Sequence, residues 1–182
     1  MSEELIIRHC SPTLAGIKIA NLFNCDCHSH EELNVTIRML NHRLFAKGLL
    51  IMPVKYFGNK ALIYVFRPKL LRAYLKDESV KQILRENGYD TDDIQKCMKR
   101  IISRLQNGSF PHEIGIFLGY PPEDVQGFID NNGQNFKICG HWKVYGDEQK
   151  CDNYFKQCEK CTRCYLDSYR SGNTIERLTV AV

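Results

Sequence analysis

The signals that direct a chain into or across a membrane are missing from this sequence. It has no run of eighteen apolar residues, and its first ten residues, MSEELIIRHC, combine two acids with a short apolar patch. A membrane span and an export signal are therefore not expected. The nine cysteines are an odd number in a chain without an export signal, which favours reduced thiols or metal ligands over a disulfide framework. The sequence predicts a cytoplasmic protein that does not enter a membrane.

An internal repeat, a low-complexity tract and a linker long enough to separate domains are also missing. With 182 residues, of which 43% are hydrophobic, the chain is long enough for one well-formed core and short for two. We therefore expect a single α+β domain over residues 1–182. Residues 171–182 are expected to be a frayed tail or a short closing segment.

Acidic residues are missing from a long central stretch. Between Arg38 and Lys76 there is no Asp or Glu, but there are nine basic residues: Arg38, Arg43, Lys47, Lys55, Lys60, Arg67, Lys69, Arg72 and Lys76. If these elements pack together, several of the cations share a surface that attracts an anion such as a nucleotide, a phosphorylated metabolite or RNA. The alternative is a solvated basic surface that is balanced by acids elsewhere.

Basic residues, in turn, are missing from Pro111 to Phe136, a segment with the pattern of two short helices. Pro111 is expected to open the first helix, and Gly119 to end it in a left-handed conformation. Small Gly115 lies where two helices would approach closely, and the spacing suits a helix-turn-helix. However, the segment contains four acids and no Lys or Arg, so phosphate would repel it. We expect a helical hairpin that packs on the core, and no DNA binding.

The remaining patterns predict a small antiparallel sheet covered by helices. Ser29 and Glu32 form a helix-start signal, and two runs rich in β-branched and aromatic residues flank a turn at Gly58 and Asn59, with Pro53 indicating an edge position or a bulge. A later alternating segment is expected to supply a further strand. The predicted strands are 49–57, 61–66 and 135–145, and the predicted helices are 14–23, 29–47, 68–76, 78–87, 91–106 and 147–168.

Arg67 is the first candidate for ligand binding. It directly follows an apolar strand and precedes Pro68, so its guanidinium is expected at a strand end above a helix start. There it could engage a carboxylate or a phosphate in bidentate fashion. A buried ion pair with an internal acid would give the same sequence.

Lys18 is the second candidate. Ser11, Pro12 and Thr13 have the composition of a helix start, and Lys18 would then lie near the first turns, where a lysine beside a helix N-terminus favours an anion. A structural capped helix, with Gly16 allowing close packing, explains the same residues. Because the pattern GxxxxGK[ST] is absent, nucleotide hydrolysis is not indicated.

Two cysteine clusters raise the question of a metal site. Cys25, Cys27, His28 and His30 form C-x-C-H-x-H, while Cys158, Cys161 and Cys164 form C-x2-C-x2-C with Cys151 upstream. The adjacent ligands of the first cluster do not easily surround one ion. The second lies in a predicted helix, where thiols also pack as small hydrophobic groups. Neither cluster is favoured as a metal site.

Catalytic candidates are few. Cys10 could serve as a nucleophile, and His112 with Glu113 could serve in acid–base chemistry. Adjacent residues of a helix point about 100° apart, however, so His112 and Glu113 are not expected to face one substrate. An enzyme is the weakest of the functional interpretations.

Four segments in this order resemble a known family: HCSPTLAGIKIANLF, IYVFRPKLL, FPHEIGIFLGYPPEDVQGFI and CGHWKVYGD. They are similar to the signature blocks of the bacterial domain-of-unknown-function family 3793, typical of anaerobic gut Firmicutes. The resemblance implies no activity, substrate or cofactor, and the cysteine-rich tail lies outside the family pattern. The residues that match the pattern are Pro12, Gly16, Lys18, Tyr64, Arg67, His112, Glu113, Gly119, Trp142 and Tyr145.

The sequence thus predicts a protein that binds an anionic small molecule or a phosphorylated ligand through its basic central region. Lys18, Tyr64, Arg67 and Trp142 are the candidate ligand-binding residues. An alternative is a thiol- or metal-linked role in anaerobic redox or iron physiology, and a third interpretation is an enzyme that uses Cys10 or His112. No cofactor and no oligomeric state follow from the sequence.

Overall fold

The computed structural model describes residues 1–108 and 110–182, which form two compact units. The first unit comprises residues 1–70 and 158–182, and the second comprises residues 71–157. Helices cover a small antiparallel sheet, so the predicted α+β class is confirmed. The interpretation of residues 1–182 as a single domain stays a prediction.

The chain alternates between helices and short strands. The helices are α1 Glu3–Leu14, α2 His30–Leu44, α3 Pro68–Tyr74, α4 Glu78–Glu86, α5 Ile94–Asn107, α6 Ile114–Phe117, α7 Pro122–Asp130, α8 Glu148–Arg170 and α9 Ile175–Leu178, with a 3-10 turn at Phe45–Lys47. The strands are β1 Ala20–Asp26, β2 Leu50–Phe57, β3 Lys60–Phe66, β4 Ile138–Cys139 and β5 Lys143–Val144.

The central hairpin has the predicted form. β2 and β3 pair antiparallel, Gly58 in the turn has a φ of +53°, and the register shifts between Pro53 and Lys55. β2 is an edge strand of the sheet, whose order is β1-β3-β2. Pro53 therefore lies at an edge and beside a bulge, where its missing N–H is tolerated.

The third strand of the sheet is β1. This strand corrects the prediction of a helix over residues 14–23 and the prediction that residues 135–145 supply the third strand. Residues 14–23 were expected to be helical, but α1 already ends at Leu14 and β1 begins at Ala20. The Ser11 hydroxyl donates to the carbonyl of Ile7 within α1, so this hydroxyl bonds back into a helix that is ending. The helix N-cap is Ser2, whose side chain accepts from the N–H of Leu5.

The segment 135–145 was expected to be the third strand of the sheet, and this was wrong. It forms instead the two-stranded hairpin of β4 and β5. Asn135 has a φ of +57°, and the chain turns around Gly140, which donates its N–H to the carbonyl of Trp142. A left-handed residue and a turn interrupt the pleat. Residues 135–145 therefore do not form one continuous strand, although their side chains alternate in type.

The core of the first unit lies on one face of the sheet. Helices α1 and α2 contribute Ile6, Ile7, Leu14, Ile37, Leu40 and Leu44, and β3 contributes Ala61, Ile63 and Val65. Ser29 caps α2 as predicted, because its side chain accepts from the N–H of Glu32. Ile175 and Leu178 of α9 belong to the same core. Helix α9 therefore packs on this core.

The second unit contains the predicted helical hairpin, α6 and α7. Gly119 between them has a φ of +75°, which confirms the predicted left-handed conformation. A Cβ on Gly115 would lie 2.7 Å from the Val125 Cγ2 atom, so the close approach expected at Gly115 is also confirmed. Among residues 1–108 and 110–182, no helix combines the length and the apolar character that a membrane crossing requires.

Candidate functional site

The guanidinium of Arg67 is buried and bound to backbone carbonyls. Its Nε donates to Thr13 at 2.6 Å, its Nη1 to Lys47 at 3.0 Å, and its Nη2 to both Leu14 at 2.7 Å and Val180 at 2.8 Å. The residue has no exposed surface, and burial lowers the pKa of its guanidinium. These bonds join the end of α1, the 3-10 turn and the segment after α9.

This geometry differs from the one expected for Arg67. A carboxylate or a phosphate was expected on the guanidinium fork, but carbonyl oxygens occupy four of its five N–H positions. The carbonyls at the end of a helix lack partners within the helix. Those of Thr13 and Leu14 accept from Arg67 and also from the N–H groups of Gly16 and Val180. The Arg67 guanidinium thus binds the protein's own backbone.

Lys18 is buried near two thiols. It follows α1 in a loop in which its N–H donates to the carbonyl of Pro12 at 3.0 Å, and only 6% of the residue is exposed. Burial lowers the pKa of the Lys18 ammonium to about 8, while Cys158 and Cys10 raise it. Burial also raises the pKa of the Cys10 thiol strongly, although Lys18 opposes the shift. Cys10 is thus a protonated core thiol, which makes it a poor nucleophile.

Tyr64 lies on the central strand β3 and is 3% exposed. Its ring stacks on that of Phe66 with centroids 4.7 Å apart, as expected for residues two apart on one face of a strand. Burial raises the pKa of its hydroxyl. Tyr64 is thus a buried residue of β3 on the face opposite to Ile63 and Val65.

Trp142 belongs to a network around Asp124 in the second unit. The Asp124 carboxylate accepts from the Trp142 Nε1 at 2.7 Å, from the N–H of Tyr145 at 2.7 Å and from the N–H of Gly146 at 2.8 Å. The Cys151 thiol lies 3.5 Å from the same carboxylate. Because α7 supplies the acid and the β4–β5 hairpin supplies these N–H groups, the network fixes the hairpin on the helix. The sequence analysis named Trp142 but did not identify Asp124.

His112 and Glu113 have separate surroundings, as the sequence predicted. Glu113 is 1% exposed and accepts from the Arg104 Nη1 at 2.5 Å and from the Tyr89 hydroxyl at 2.7 Å. The exposed His112 ring lies 5.0 Å from the ring of Phe128. Glu113 therefore serves a buried ion pair, and the two side chains do not share a set of partners.

The cysteine clusters are mostly parts of the interior. Cys25 and Cys27 are 3% and 5% exposed and belong to the core of the first unit, whereas His28 is exposed and His30 stacks on Tyr56. Among residues 1–108 and 110–182, no group of three or more His, Cys, Asp or Glu side chains is placed to hold a metal ion. On α8, the residues Cys151, Cys158 and Cys161 are buried and Cys164 is exposed.

The cations of the basic stretch are distributed over different environments. Arg72 and Lys76 belong to the second unit and the other seven to the first, so the stretch does not lie within one unit. Arg43 pairs with Glu3 at 2.7 Å and also with Glu176. Arg38 is exposed on α2 and makes no ion pair among the residues that the structure describes.

Arg38 lines a groove of about 650 Å³ between α2 and the edge strand β2. Glu31, Asn34, Arg38 and Asn41 form its helical wall, at a spacing that places them on one face of α2. Ile51 and Pro53 of β2 and Ile37 of α2 supply its apolar lining. This groove, the α2–β2 groove, is our candidate functional site.

Asn41 binds the backbone groups of the edge strand β2 inside the α2–β2 groove. Its Nδ2 donates to the carbonyl of Ile51 at 2.8 Å, and its Oδ1 accepts from the N–H of the same residue at 2.8 Å. Pro53 has no N–H to offer. A peptide strand added at this edge would thus find these groups blocked, which favours a small ligand over a strand.

Asn34 contributes a donor to the α2–β2 groove. Its Oδ1 accepts from the Tyr56 hydroxyl at 2.8 Å, so the amide group is held in one orientation and its Nδ2 has two N–H groups to donate. Sequence analysis gave Arg38 only as one of nine cations and did not name Asn34 or Asn41. The helical spacing of residues 31, 34, 38 and 41 was the available signal, but the partner strand was not identifiable from it.

The family described as protein of unknown function (DUF3793) matches residues 6–179. No curated protein and no solved structure matches the chain significantly.

Proposed function

Because the chain belongs to the DUF3793 family, whose function is unknown, we propose a function from the site itself: the protein binds a small organic anion in the α2–β2 groove. The observation that supports this proposal best is an exposed Arg38, which makes no ion pair within residues 1–108 and 110–182, beside the half-buried Pro53 and the edges of the largely buried Ile37 and Ile51. The ligand carries a carboxylate or a phosphate on an apolar body.

Arg38 supplies the charge in this proposal. Its planar guanidinium offers five N–H donors in a fork that matches a carboxylate or a phosphate. Asn34 adds neutral donors one turn before it, and its orientation is fixed by Tyr56. The donors of Arg38 are not used by an acid of the described chain, so an incoming anion does not have to displace one.

The apolar lining selects among anions. Transfer of apolar surface from water contributes about 25 cal/mol per Å², so an anion with a hydrocarbon or aromatic body gains free energy that inorganic phosphate does not. Since the groove is open to solvent, the ion pair alone contributes on the order of 1 kcal/mol or less. Binding therefore depends on both parts of the ligand.

Glu31 places a negative charge at the end of the groove that lies away from Arg38. It lies seven residues before Arg38, which corresponds to about 10 Å along the helix axis, and it makes no ion pair in the described part of the chain. A ligand with a second negative charge at that end would be repelled. The α2–β2 groove therefore favours ligands with a single anionic group near Arg38.

The proposal is tested by isothermal titration of the purified protein with hexanoate, adenosine monophosphate and inorganic phosphate. We expect the two anions with an apolar or aromatic body to bind more tightly than phosphate, and added chloride to weaken all three. Arg38→Gln should reduce the affinity by up to about fivefold, because an ion pair that is open to solvent contributes about 1 kcal/mol or less.

Two further variants separate a specific site from general attraction to a basic protein. Lys60→Gln removes an exposed cation of the same unit outside the groove and should leave the affinity unchanged. Glu31→Gln should raise the affinity, most for the doubly charged nucleotide. Equal losses in Arg38→Gln and Lys60→Gln, or no binding of any anion to the unmodified protein, would contradict the proposal.

A further inference from the structure

Three cysteines follow one another at intervals of three residues on α8, and their exposure differs. Cys158 is 1% exposed and Cys161 is 8% exposed, whereas Cys164 lies at the surface. Within residues 1–108 and 110–182, Cys161 and Cys164 form no disulfide. Only Cys164 is therefore open to a reagent from solvent, and Cys161 is the thiol that lies one turn before it.

Helix geometry brings the α-carbons of Cys161 and Cys164 to a bridging distance. Residues three apart are separated by about 4.5 Å along the axis and by about 60° around it, which gives a Cα separation of about 5 Å. Disulfides span Cα separations of about 4.4–6.8 Å. The Cβ atoms of residues three apart on a helix are about 5–6 Å apart, whereas a disulfide needs about 3.5–4.5 Å. The bond between Cys161 and Cys164 therefore requires a local tightening of this turn of α8.

The charges near Cys164 are balanced. Lys160 lies four residues before it and Asp167 three residues after it, and both positions are neighbours on a helix surface. Cys161 has a different environment, because burial and the neighbouring thiols Cys158 and Cys164 raise its pKa to about 11. The exposure of Cys164 and the raised pKa of Cys161 together favour Cys164 as the thiol that reacts first.

We propose that Cys161 and Cys164 form a dithiol that exchanges electrons with disulfides, with Cys164 as the attacking thiol and Cys161 as the resolving thiol. The Cys164 thiolate attacks one sulfur of a substrate disulfide, which forms a mixed disulfide at Cys164 and releases one substrate thiolate. Cys161 then loses its proton and attacks the Sγ of Cys164, which releases the second substrate thiol. The two protein thiols are oxidised to one disulfide, and the substrate disulfide is reduced to two thiols.

The sequence of α8 allows this bond to be identified directly. Trypsin cleaves after Lys156, Lys160, Arg163 and Arg170, so Cys158, Cys161 and Cys164 fall on the separate peptides 157–160, 161–163 and 164–170. The whole chain is reduced, freed of reductant, treated with oxidised glutathione, quenched with acid, alkylated and digested. We expect peptides 161–163 and 164–170 to be recovered joined by a disulfide.

Single variants define the order of the steps. Cys161→Ser should stop the reaction at the mixed disulfide, so that one glutathionyl group stays on peptide 164–170. Cys164→Ser should abolish the bridge. In this variant, peptide 161–163 should carry no glutathionyl group. Cys139→Ser removes the other exposed cysteine of the described chain and should leave the bridge unchanged.

Several outcomes would overturn this inference. One is that the three peptides are recovered after oxidation as separate alkylated peptides, without a disulfide between them. Another is a bridge between peptides 157–160 and 161–163 in place of the expected one. A third is glutathionylation of Cys161 in Cys164→Ser, which would show that the buried thiol does not need the exposed one.

Discussion

The Arg67 Nε donates a 2.6 Å hydrogen bond to the carbonyl oxygen of Thr13, a residue 54 positions earlier in the chain. Thr13 lies in the last turn of α1, and Arg67 directly follows β3. The same guanidinium reaches Leu14 and Val180. One side chain thus satisfies helix-end carbonyls and holds the closing segment of the first unit.

Replacing Arg67 should destabilise the protein without any ligand. Arg67→Met removes the side-chain donor from four carbonyls, of which those of Thr13 and Leu14 also accept from the N–H groups of Gly16 and Val180. The free energy of unfolding should fall by about 2 kcal/mol or more, given about 1–3 kcal/mol for each buried unsatisfied group. Arg67→Lys should cause a smaller loss, because one ammonium group does not span all four oxygens. Chemical denaturation measures both values.

The matched control for the Arg67 variants is Lys69→Met. Lys69 is an exposed cation two residues after Arg67. It should change the free energy of unfolding by no more than about 0.5 kcal/mol. If Arg67→Lys were as stable as the unmodified protein, the carbonyl network would contribute nothing and a ligand role for the guanidinium would regain support.

Lys18 should give a pH-dependent contribution to stability. Its pKa of about 8 in the folded protein lies below the ordinary value of about 10.4 for an unfolded chain. Between these two values the unfolded state binds more protons, so this residue's contribution to the free energy of unfolding rises with pH. Below about pH 8 the charged ammonium is buried at full cost.

The measurement for Lys18 compares the unmodified protein with Lys18→Met from pH 7 to pH 9.5 under reducing conditions. The comparison cancels the opposing titration of buried thiols and tyrosines that both proteins share. The free energy of unfolding of the unmodified protein should rise relative to that of the variant above pH 8. A constant difference across this range would show that the pKa of Lys18 is not lowered.

Asp124→Asn should release the β4–β5 hairpin from α7. An amide in this position has only one acceptor oxygen, while the carboxylate receives donors on both oxygens. We expect a loss of about 2–3 kcal/mol in the free energy of unfolding and a change in the emission of Trp142, the one tryptophan of the chain.

Asp130→Asn is the control for Asp124, since Asp130 is an exposed acid of the same helix α7. It should leave both stability and tryptophan emission unchanged. Unchanged emission in Asp124→Asn as well would mean that the 2.7 Å bond to Trp142 is not formed in solution.

Local signals in the sequence determined much of the architecture. The capping pattern at Ser29, the turn at Gly58 and the left-handed Gly119 each depend on a few neighbouring residues, so the helix α2, the central hairpin and the α6–α7 pair were all predicted. The acid-free stretch also pointed to the part of the chain that contains Arg38. Such features follow from backbone sterics and short-range hydrogen bonds, which one sequence displays directly.

Only the tertiary structure decided the partners of long-range groups. The third strand of the sheet is β1, whose residues pair with β3 from Ala20 opposite Phe66 to Asp26 opposite Lys60. The sequence predicted a helix over 14–23 and placed the third strand at 135–145. The carbonyl partners of Arg67, the donors around Asp124 and the strand opposite Arg38 lie far away in sequence. Side-chain type specifies what a group can bind, but which of many possible partners it meets depends on how the whole chain packs.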